Sequence, residues 1–141
     1  MGLLDTFVAG SVLLLLDQWS KRTVRLRVQG RSVSCGRLFR IGYFTCAKRI
    51  HRRRAARTAL ALLWCVALVS AIFLYRSGNW FQSDVARVGL GFALGGAAAN
   101  LLDILRLHAV VDFVDFRWWP VFNMADIGIV GGLLMAFGRM L

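Results

Sequence analysis

Apolar runs long enough to cross a membrane recur four times in this sequence. They cover about residues 3–16, 59–75, 85–105 and 120–138. The second run would extend roughly 25 Å as an α-helix, close to the thickness of a bilayer's hydrocarbon core. With 58% hydrophobic residues, the chain is too apolar for an average soluble domain. We therefore predict an all-α membrane protein with four transmembrane helices, forming a single integral membrane domain over residues 1–141.

The ends of these runs carry their own signals. The first run is N-terminal and short, like a signal peptide, but it contains Asp5, and "DQWSK" follows it instead of a small-residue cleavage site. We expect it to be retained as a span. The fourth run is opened by Pro120, which suits the first turn of a helix.

Small residues recur every four positions in the third and fourth runs. They are Gly91, Gly95 and Ala99 in one run, and Gly128 and Gly132 in the other. This spacing lets helix backbones approach closely, which in lipid replaces the hydrophobic drive for association. We interpret these residues as packing surfaces rather than as a ligand site.

Polar residues concentrate at one end of the predicted spans. An ionisable side chain at membrane depth costs at least ~2.5 kcal/mol on insertion scales and is usually retained for a function. Spans one and three run in the same direction and end near Asp17 and Asp103, whereas span four runs back and begins near Asn123. One membrane surface should therefore gather eight residues: Asp17, Lys21, Asn100, Asp103, Asp112, Asp115, Asn123 and Asp126.

Asp112 and Asp126 come from different segments and would meet at this surface. Two carboxylates a few ångströms apart share one proton, so that one acts as a base on water while the other acts as an acid, as in aspartic peptidases. For Asp5, Asp84 and Asp103, a helix cap or a solvated interfacial charge is the simpler interpretation.

Four motifs resemble the lipoprotein signal peptidase (signal peptidase II) family. They are "DQWSK" at 17–21, "NLLD" from residue 100, "VVDFVDF" from residue 110 and "WWPVFNMADIGIVGG" from residue 118. The resemblance implies that Asp112 and Asp126 are the catalytic aspartates. Asp115 is typical of the family without a catalytic role, and a solvated or Arg-paired carboxylate is its simpler role. The resemblance also implies residues that support the site or hold substrate: Asp17, Lys21, Asn100 and Asn123.

By this resemblance the protein is an intramembrane aspartic endopeptidase. It would cleave the signal peptide of diacylated prolipoproteins before the lipid-modified cysteine, in the bacterial cell (inner) membrane, as a multi-pass monomer. The dyad would activate one water, and no cofactor is implied. His51 and His108 have no matching ligands, so no metal site is expected. The expected partners are prolipoproteins and membrane lipids, anionic ones in particular, and no nucleic acid.

The sequence departs from the family pattern at several positions. Ile104 follows Asp103 where the family usually has arginine, and Ala99 precedes Asn100 where it usually has glycine. The N-x-G-A stretch expected before the second span is absent, and "FTCAKRIHRRRAART" occupies its place. Because that stretch normally helps to hold substrate, these departures bear on substrate choice more than on the dyad.

Most of the net charge of +11 lies in a basic loop at residues 22–57. The positive-inside rule would place this loop in the cytoplasm, whereas the family's active site faces the exterior. We expect the family orientation, because the rule is a bias and the motif match is residue-specific. The loop would then contact anionic head groups, at about 1 kcal/mol per charge.

Within the basic loop, "SVSCGRLFRIGYFTC" alternates polar and apolar residues. The alternation predicts a small β-like strand pair between helices 1 and 2, at the membrane interface. Cys35 and Cys46 would be able to pair if this face is oxidising. Three cysteines, with Cys65 inside a span, are more typical of isolated small hydrophobic residues.

Other function classes fit parts of the sequence. A catalytically silent relative that binds lipidated peptides or anionic lipid would keep the packing glycines. A four-span exporter of small cations would have a similar length, but it depends on a glutamate, and this chain has no Glu. "KRIHRRRAAR" suggests nucleic-acid binding, yet a basic run beside a span more often contacts lipid. A silent binder has no reason to keep Asp112 and Asp126 together with Asn123, so the dyad favours the peptidase.

Overall fold

Four helices are present in the part of the chain that the computed structural model describes, which comprises residues 2–28, 33–35, 39–45, 54–78 and 80–138. They are α1 (Gly2–Val28), α2 (Arg54–Arg76), α3 (Asp84–Leu107) and α4 (Met124–Phe137). The same residues contain three short strands: β1 (Val33–Cys35), β2 (Phe39–Thr45) and β3 (Val111–Asp115). The prediction of a mostly helical protein is confirmed.

Two helices are long and apolar enough to cross a bilayer, α1 from Leu3 onward and α3. The apolar part of α2 is shorter, Ala61–Arg76, and α4 has 14 residues. At 1.5 Å per residue, α4 extends only ~21 Å against ~30 Å of hydrocarbon. Large apolar side chains such as Phe7, Phe73 and Val130 are mostly exposed on these helices, an arrangement that suits lipid rather than water.

The start of α4 differs from the sequence prediction. Pro120 does not open the helix, because the first helical residue is Met124 and Asn123 is its N-cap. The Asn123 side chain accepts a hydrogen bond from the Asp126 backbone N–H, while the Asp126 side chain accepts one from the Asn123 backbone N–H. This capping box satisfies backbone groups that a helix end otherwise leaves unpaired, and it fixes where α4 begins.

Glycines allow the helices to approach α3, which contacts each of the other three. A Cβ on Gly95 would meet the backbone of Gly10 in α1, and one on Gly91 would meet the backbone of Thr6. In α4, a Cβ on Gly132 would meet the backbone of Gly89. The predicted packing role is therefore confirmed for Gly91, Gly95 and Gly132. This packing brings the C-terminal ends of α1 and α3 beside the N-terminus of α4.

The other end of the bundle is closed by an apolar cluster. Phe81, Leu90 and Ala136 are buried there. The rings of Phe81 and Phe137 pack edge to face, with their centroids 5.5 Å apart. The apolar core and the polar cluster described below thus lie at opposite ends of α3.

The predicted strand pair is present, and a third strand extends it. β1 pairs antiparallel with β2, and β2 pairs antiparallel with β3, where Arg40 lies opposite Asp115. Phe122 adds an antiparallel bridge to Val114 just before α4. The sheet is therefore not confined to the loop between the first two helices. It also holds the segment that connects α3 to α4.

The predicted basic loop begins later than expected, because α1 continues to Val28. Residues 22–28 are helical, and Asp17 and Lys21 lie one turn apart on the same helix. The basic run at 48–53 and Cys46, with its suggested pairing to Cys35, lie outside the described residues. Cys65 is a free, exposed cysteine.

Candidate active site

A buried ion network joins the end of α1 to α3. The Lys21 Nζ lies 2.6 Å from Asp17 Oδ2 and 2.7 Å from Asp103 Oδ2. All three side chains are buried, and Gln18 Nε2 donates to Asp103 Oδ1 at 2.9 Å. The interpretation of Asp103 as a cap or a solvated charge is wrong, because a buried carboxylate needs the paired and hydrogen-bonded surroundings that Lys21 and Gln18 provide. We refer to Asp17, Lys21 and Asp103 as the ion network.

The ion network also holds the other two segments of the site. Asp17 Oδ1 accepts from the backbone N–H of Ala125 in the first turn of α4, at 2.9 Å. Its negative charge also complements the positive end of the α4 helix dipole. Asp103 Oδ2 accepts from the backbone N–H of Val111, the first residue of β3, at 3.3 Å. One set of charges therefore fixes α1, α3, β3 and α4 relative to one another.

The Asn100 side chain connects the ion network to Asp126. Its Oδ1 accepts from Lys21 Nζ at 3.2 Å and from Asn123 Nδ2 at 3.1 Å. Because both donors hold the oxygen, the amide nitrogen is left to face Asp126, and Nδ2 donates to Asp126 Oδ1 at 2.8 Å. The Lys21 ammonium thereby uses its third donor to orient a neutral amide.

Asn123 bridges the two candidate catalytic carboxylates. Its Nδ2 donates to Asp112 Oδ1 at 2.8 Å, and its backbone N–H donates to Asp126 Oδ2 at 3.1 Å. Nδ2 also lies 3.2 Å from the Val111 carbonyl oxygen. Its two hydrogens are thus shared among three acceptors, so at least one of these hydrogen bonds is bifurcated. Asn123 is fully buried at 0% exposure, which keeps Asp112 and Asp126 in a fixed relation.

Asp112 is electrostatically unusual. Its pKa is raised from 3.8 to about 6, first by burial and then by the negative charge of Asp126. The hydrogen bond from Asn123 and the charge of Lys21 act in the opposite direction. Both Asp112 and Asp126 remain partly exposed, so water can reach them. This arrangement suits a carboxylate pair that shares one proton.

Asp115 lies on the same strand but outside this cluster. Residues 112 and 115 are an odd number of positions apart, so their side chains leave β3 on opposite faces. Arg40 donates to Asp115 Oδ2 from Nε at 3.0 Å and from Nη2 at 2.6 Å, and the Arg117 backbone N–H donates to Oδ1 at 2.7 Å. The backbone hydrogen bond from Arg117, followed by that from Arg40, lowers the pKa of Asp115. The Arg-paired role expected for Asp115 is confirmed.

The structure therefore brings together seven of the eight residues expected at one surface and leaves Asp115 aside. The seven are Asp17, Lys21, Asn100, Asp103, Asp112, Asn123 and Asp126. Among the described residues, no group of three or more His, Cys, Asp or Glu side chains is placed to hold a metal ion. His108 ends α3 in the left-handed conformation, and His51 lies outside the described part.

Two contributing residues are not predicted from the sequence. Gln18 binds Asp103, and its only sequence signal is its place beside Asp17 in "DQWSK". Arg40 binds Asp115 across 75 positions, which no local pattern reveals, because the contact depends on the register between β2 and β3.

Comparison with known proteins gives consistent results. Residues 9–141 match a family described as Signal peptidase (SPase) II. A lipoprotein signal peptidase of Moorella thermoacetica is 35% identical over 136 residues, covering 92% of this chain and 88% of the relative. One from Pelotomaculum thermopropionicum is 34% identical over 131 residues, covering 92% and 86%. A bacterial membrane enzyme solved by the in meso method shares the fold, with a TM-score of 0.82 and 17% identity over 96% of this chain and 92% of that chain.

Proposed function

The chain belongs to the signal peptidase II family, and we propose that it is an intramembrane aspartic endopeptidase with Asp112 and Asp126 as its catalytic pair. Its substrates are diacylated prolipoproteins, which it cuts before the lipid-modified cysteine. The observation that carries the proposal is the buried Asn123, which hydrogen-bonds both carboxylates. A protein that only bound lipidated peptides would not need two partly exposed carboxylates held in this way.

In the proposed reaction the two carboxylates have different roles, because their surroundings differ. Asp126 accepts two N–H donors, from Asn100 and from the Asn123 backbone, which suits an acceptor-only carboxylate. Asp126 takes a proton from water, and the resulting hydroxide attacks the scissile carbonyl carbon. Asp112, whose raised pKa of about 6 makes it easier to protonate than an ordinary carboxyl, donates a proton to the carbonyl oxygen. When the tetrahedral intermediate collapses and its C–N bond breaks, the proton held by Asp126 passes to the leaving amine. One hydroxyl proton of the intermediate returns to Asp112, which leaves the carboxylic acid product and restores the starting protonation of the pair.

The remaining predicted site residues hold Asp112 and Asp126 in position. Lys21 holds Asn100, and Asn100 holds Asp126. Asp17 holds the first turn of α4, from which Asp126 projects. We assign Asp17, Lys21, Asn100 and Asn123 to positioning of the pair and to substrate support.

We further propose that residues 1–141 form one integral membrane domain of the bacterial inner membrane. In this arrangement α1 and α3 are full spans, and α2 and α4 are shorter spans that complete a four-span layout. The polar end of the bundle then lies at the exterior interface, where water is available for hydrolysis. The basic segments on that side contact anionic lipid, and the chain acts as a monomer.

Cleavage of a purified diacylated prolipoprotein tests the proposed function. We expect one cut, with the lipid-modified cysteine as the new N-terminal residue, identified by mass spectrometry. The same precursor without its lipid should be cut far more slowly. If the purified, folded protein cuts neither precursor, or cuts at another bond, the proposed function is wrong.

A further inference from the structure

A long apolar cleft lies between α1 and α2, with α3 behind it, and has a volume of about 520 Å³. Phe7, Gly10 and Leu14 line it from α1, and Leu68 and Ile72 line it from α2. The fold sets the position of this cleft. α1 packs closely on α3 through glycines, whereas α2 contacts a different part of α3, so a space remains between α1 and α2. We refer to this space as the α1–α2 cleft.

The α1–α2 cleft adjoins a second cavity that borders the candidate active site. Trp64 lines the cleft and also lines a second, smaller cavity of about 250 Å³. That second cavity is bordered by Asn100, whose amide donates to Asp126. Trp64 therefore belongs to the lining of both cavities, and the second of them reaches a side chain that touches a proposed catalytic carboxylate.

Trp64 provides a second observation at the junction of the two cavities. Its Nε1 is buried and has no hydrogen-bond partner among the described residues. A buried donor without a partner costs about 1–3 kcal/mol. A ligand that brought an acceptor oxygen to this position, such as an ester carbonyl, would remove that cost.

The dimensions of the cleft suit a lipid chain. From Trp64 to Tyr75 the lining extends ~17 Å along α2 at ~1.5 Å per residue. A volume of about 520 Å³ over this length has room for a slender, flexible chain. The ~17 Å depth is close to one leaflet, half of a ~30 Å hydrocarbon core, which is the depth an acyl chain spans.

We propose that the α1–α2 cleft binds one acyl chain of the diacylated substrate, which enters past Asn100 and Trp64. The inference rests on the proposed function and extends it, because it states where the lipid part of the substrate is held. Recognition of a buried chain would place the modified cysteine beside Asp126. It would also explain selection for lipidated precursors by apolar burial rather than by peptide sequence.

Two synthetic lipopeptides with one peptide sequence test this assignment, one with palmitoyl chains and one with hexanoyl chains. Leu68→Trp fills the cleft. It should raise KM for the palmitoyl peptide about tenfold, the effect of displacing roughly two buried methylene groups, and leave KM for the hexanoyl peptide unchanged. Leu62→Trp is the matched control, because Leu62 is on the same helix but 61% exposed, and it should change neither value.

The results separate this inference from the proposed function. If wild-type protein cuts both peptides and Leu68→Trp leaves KM unchanged, or raises it equally for both, the acyl assignment is wrong and the peptidase assignment stands. If wild-type protein cuts neither peptide, both are wrong.

A second measurement covers the case in which Leu68→Trp fails to fold. A palmitoyl lipopeptide with a photoreactive diazirine at mid-chain is crosslinked to the Asp126→Asn protein, which should bind without cutting. We expect the crosslinks to map to the cleft lining, in particular Leu14, Leu68 and Ile72. Crosslinks confined to outward residues such as Leu62, Val66 and Val69 would overturn the proposal.

Discussion

Asp17 and Asp103 are held by a charge, whereas Asp112 and Asp126 are held by neutral amides. The Lys21 ammonium contacts both carboxylates of the first pair, and Asn100 and Asn123 contact those of the second. The first pair is almost fully buried, and the second is partly exposed. An adjacent cation strongly favours the ionised form of a carboxylate, whereas a neutral amide donor favours it less, so that burial and the neighbouring negative charge can still raise the pKa of Asp112. One hydrogen-bonded network thus contains both a structural pair and a pair that can do acid–base chemistry.

The largest expected effect is on the amide-held pair. Asp112→Asn and Asp126→Asn keep the side-chain shape but remove the shared proton, so each should lower the cleavage rate by at least ~10²–10⁴-fold with the protein still folded. The assay is cleavage of a diacylated prolipoprotein. Asp84→Asn is the control, because Asp84 pairs with Arg87 at the start of α3. Wild-type cleavage by Asp126→Asn would show that the pair held by neutral amides is not the catalytic pair.

The next largest effect is expected on stability. It concerns Asp17 and Asp103, the pair that the Lys21 ammonium holds. Lys21→Met leaves Asp17 and Asp103 buried without a cation, and it should lower the free energy of unfolding by about 3–5 kcal/mol. Unfolding of the detergent-solubilised protein, followed by circular dichroism, measures this change. Arg22→Met is the matched control, because Arg22 is the exposed neighbour on α1 and should have little effect. Equal destabilisation by both variants would show that Lys21 is not the anchor.

The raised pKa of Asp112 predicts a pH dependence. In the proposed mechanism Asp112 is the acid, so kcat/KM should fall as pH rises through about 6. The hydrogen bond from Asn123 lowers this pKa, so Asn123→Ala should shift the alkaline limb to higher pH besides lowering the rate.

The raised pKa of Asp112 also makes the stability of the protein depend on pH. The native pKa lies above the unfolded value of 3.8, so this contribution to stability is present below pH 3.8 and is lost as pH rises through about 6. Asp112→Asn should therefore stabilise the protein more at pH 7 than at pH 4. Unfolding curves of both proteins at the two pH values test this, and a difference of the opposite sign would contradict the raised pKa.

The smallest effect is expected at Asp115, which is held by a charge but lies on the same strand as Asp112. Asp115→Asn should lower activity less than about tenfold, because it weakens the contact between β3 and β2 but leaves Asp112 and Asp126 unchanged. Arg40→Gln should have a similar effect, and the double variant should be no worse than either single one. A double-mutant cycle on cleavage rate measures this, and additive losses would show that the two residues act separately.

Some parts of this fold can be predicted from sequence, and others depend on tertiary pairing. The helices follow from apolar runs, and the gathering of Asp112 and Asp126 follows from helix direction and from motifs. The strand at 111–115 is too short for its alternation to stand out, and it is stabilised by pairing with β2 from far along the chain. The Pro120 prediction failed because the Asn123 and Asp126 capping box determines the helix start more strongly than a proline preference does.

The capping box also affects how the protein matures. Asn123 and Asp126 bind each other only when the first turn of α4 has formed, and Asn123 reaches Asp112 only when β3 lies beside that turn. A chain that is still inserting its last helix therefore contains both carboxylates but lacks the contacts that hold them in place. In the proposed mechanism, activity therefore depends on completion of the fold and not only on the presence of the two aspartates.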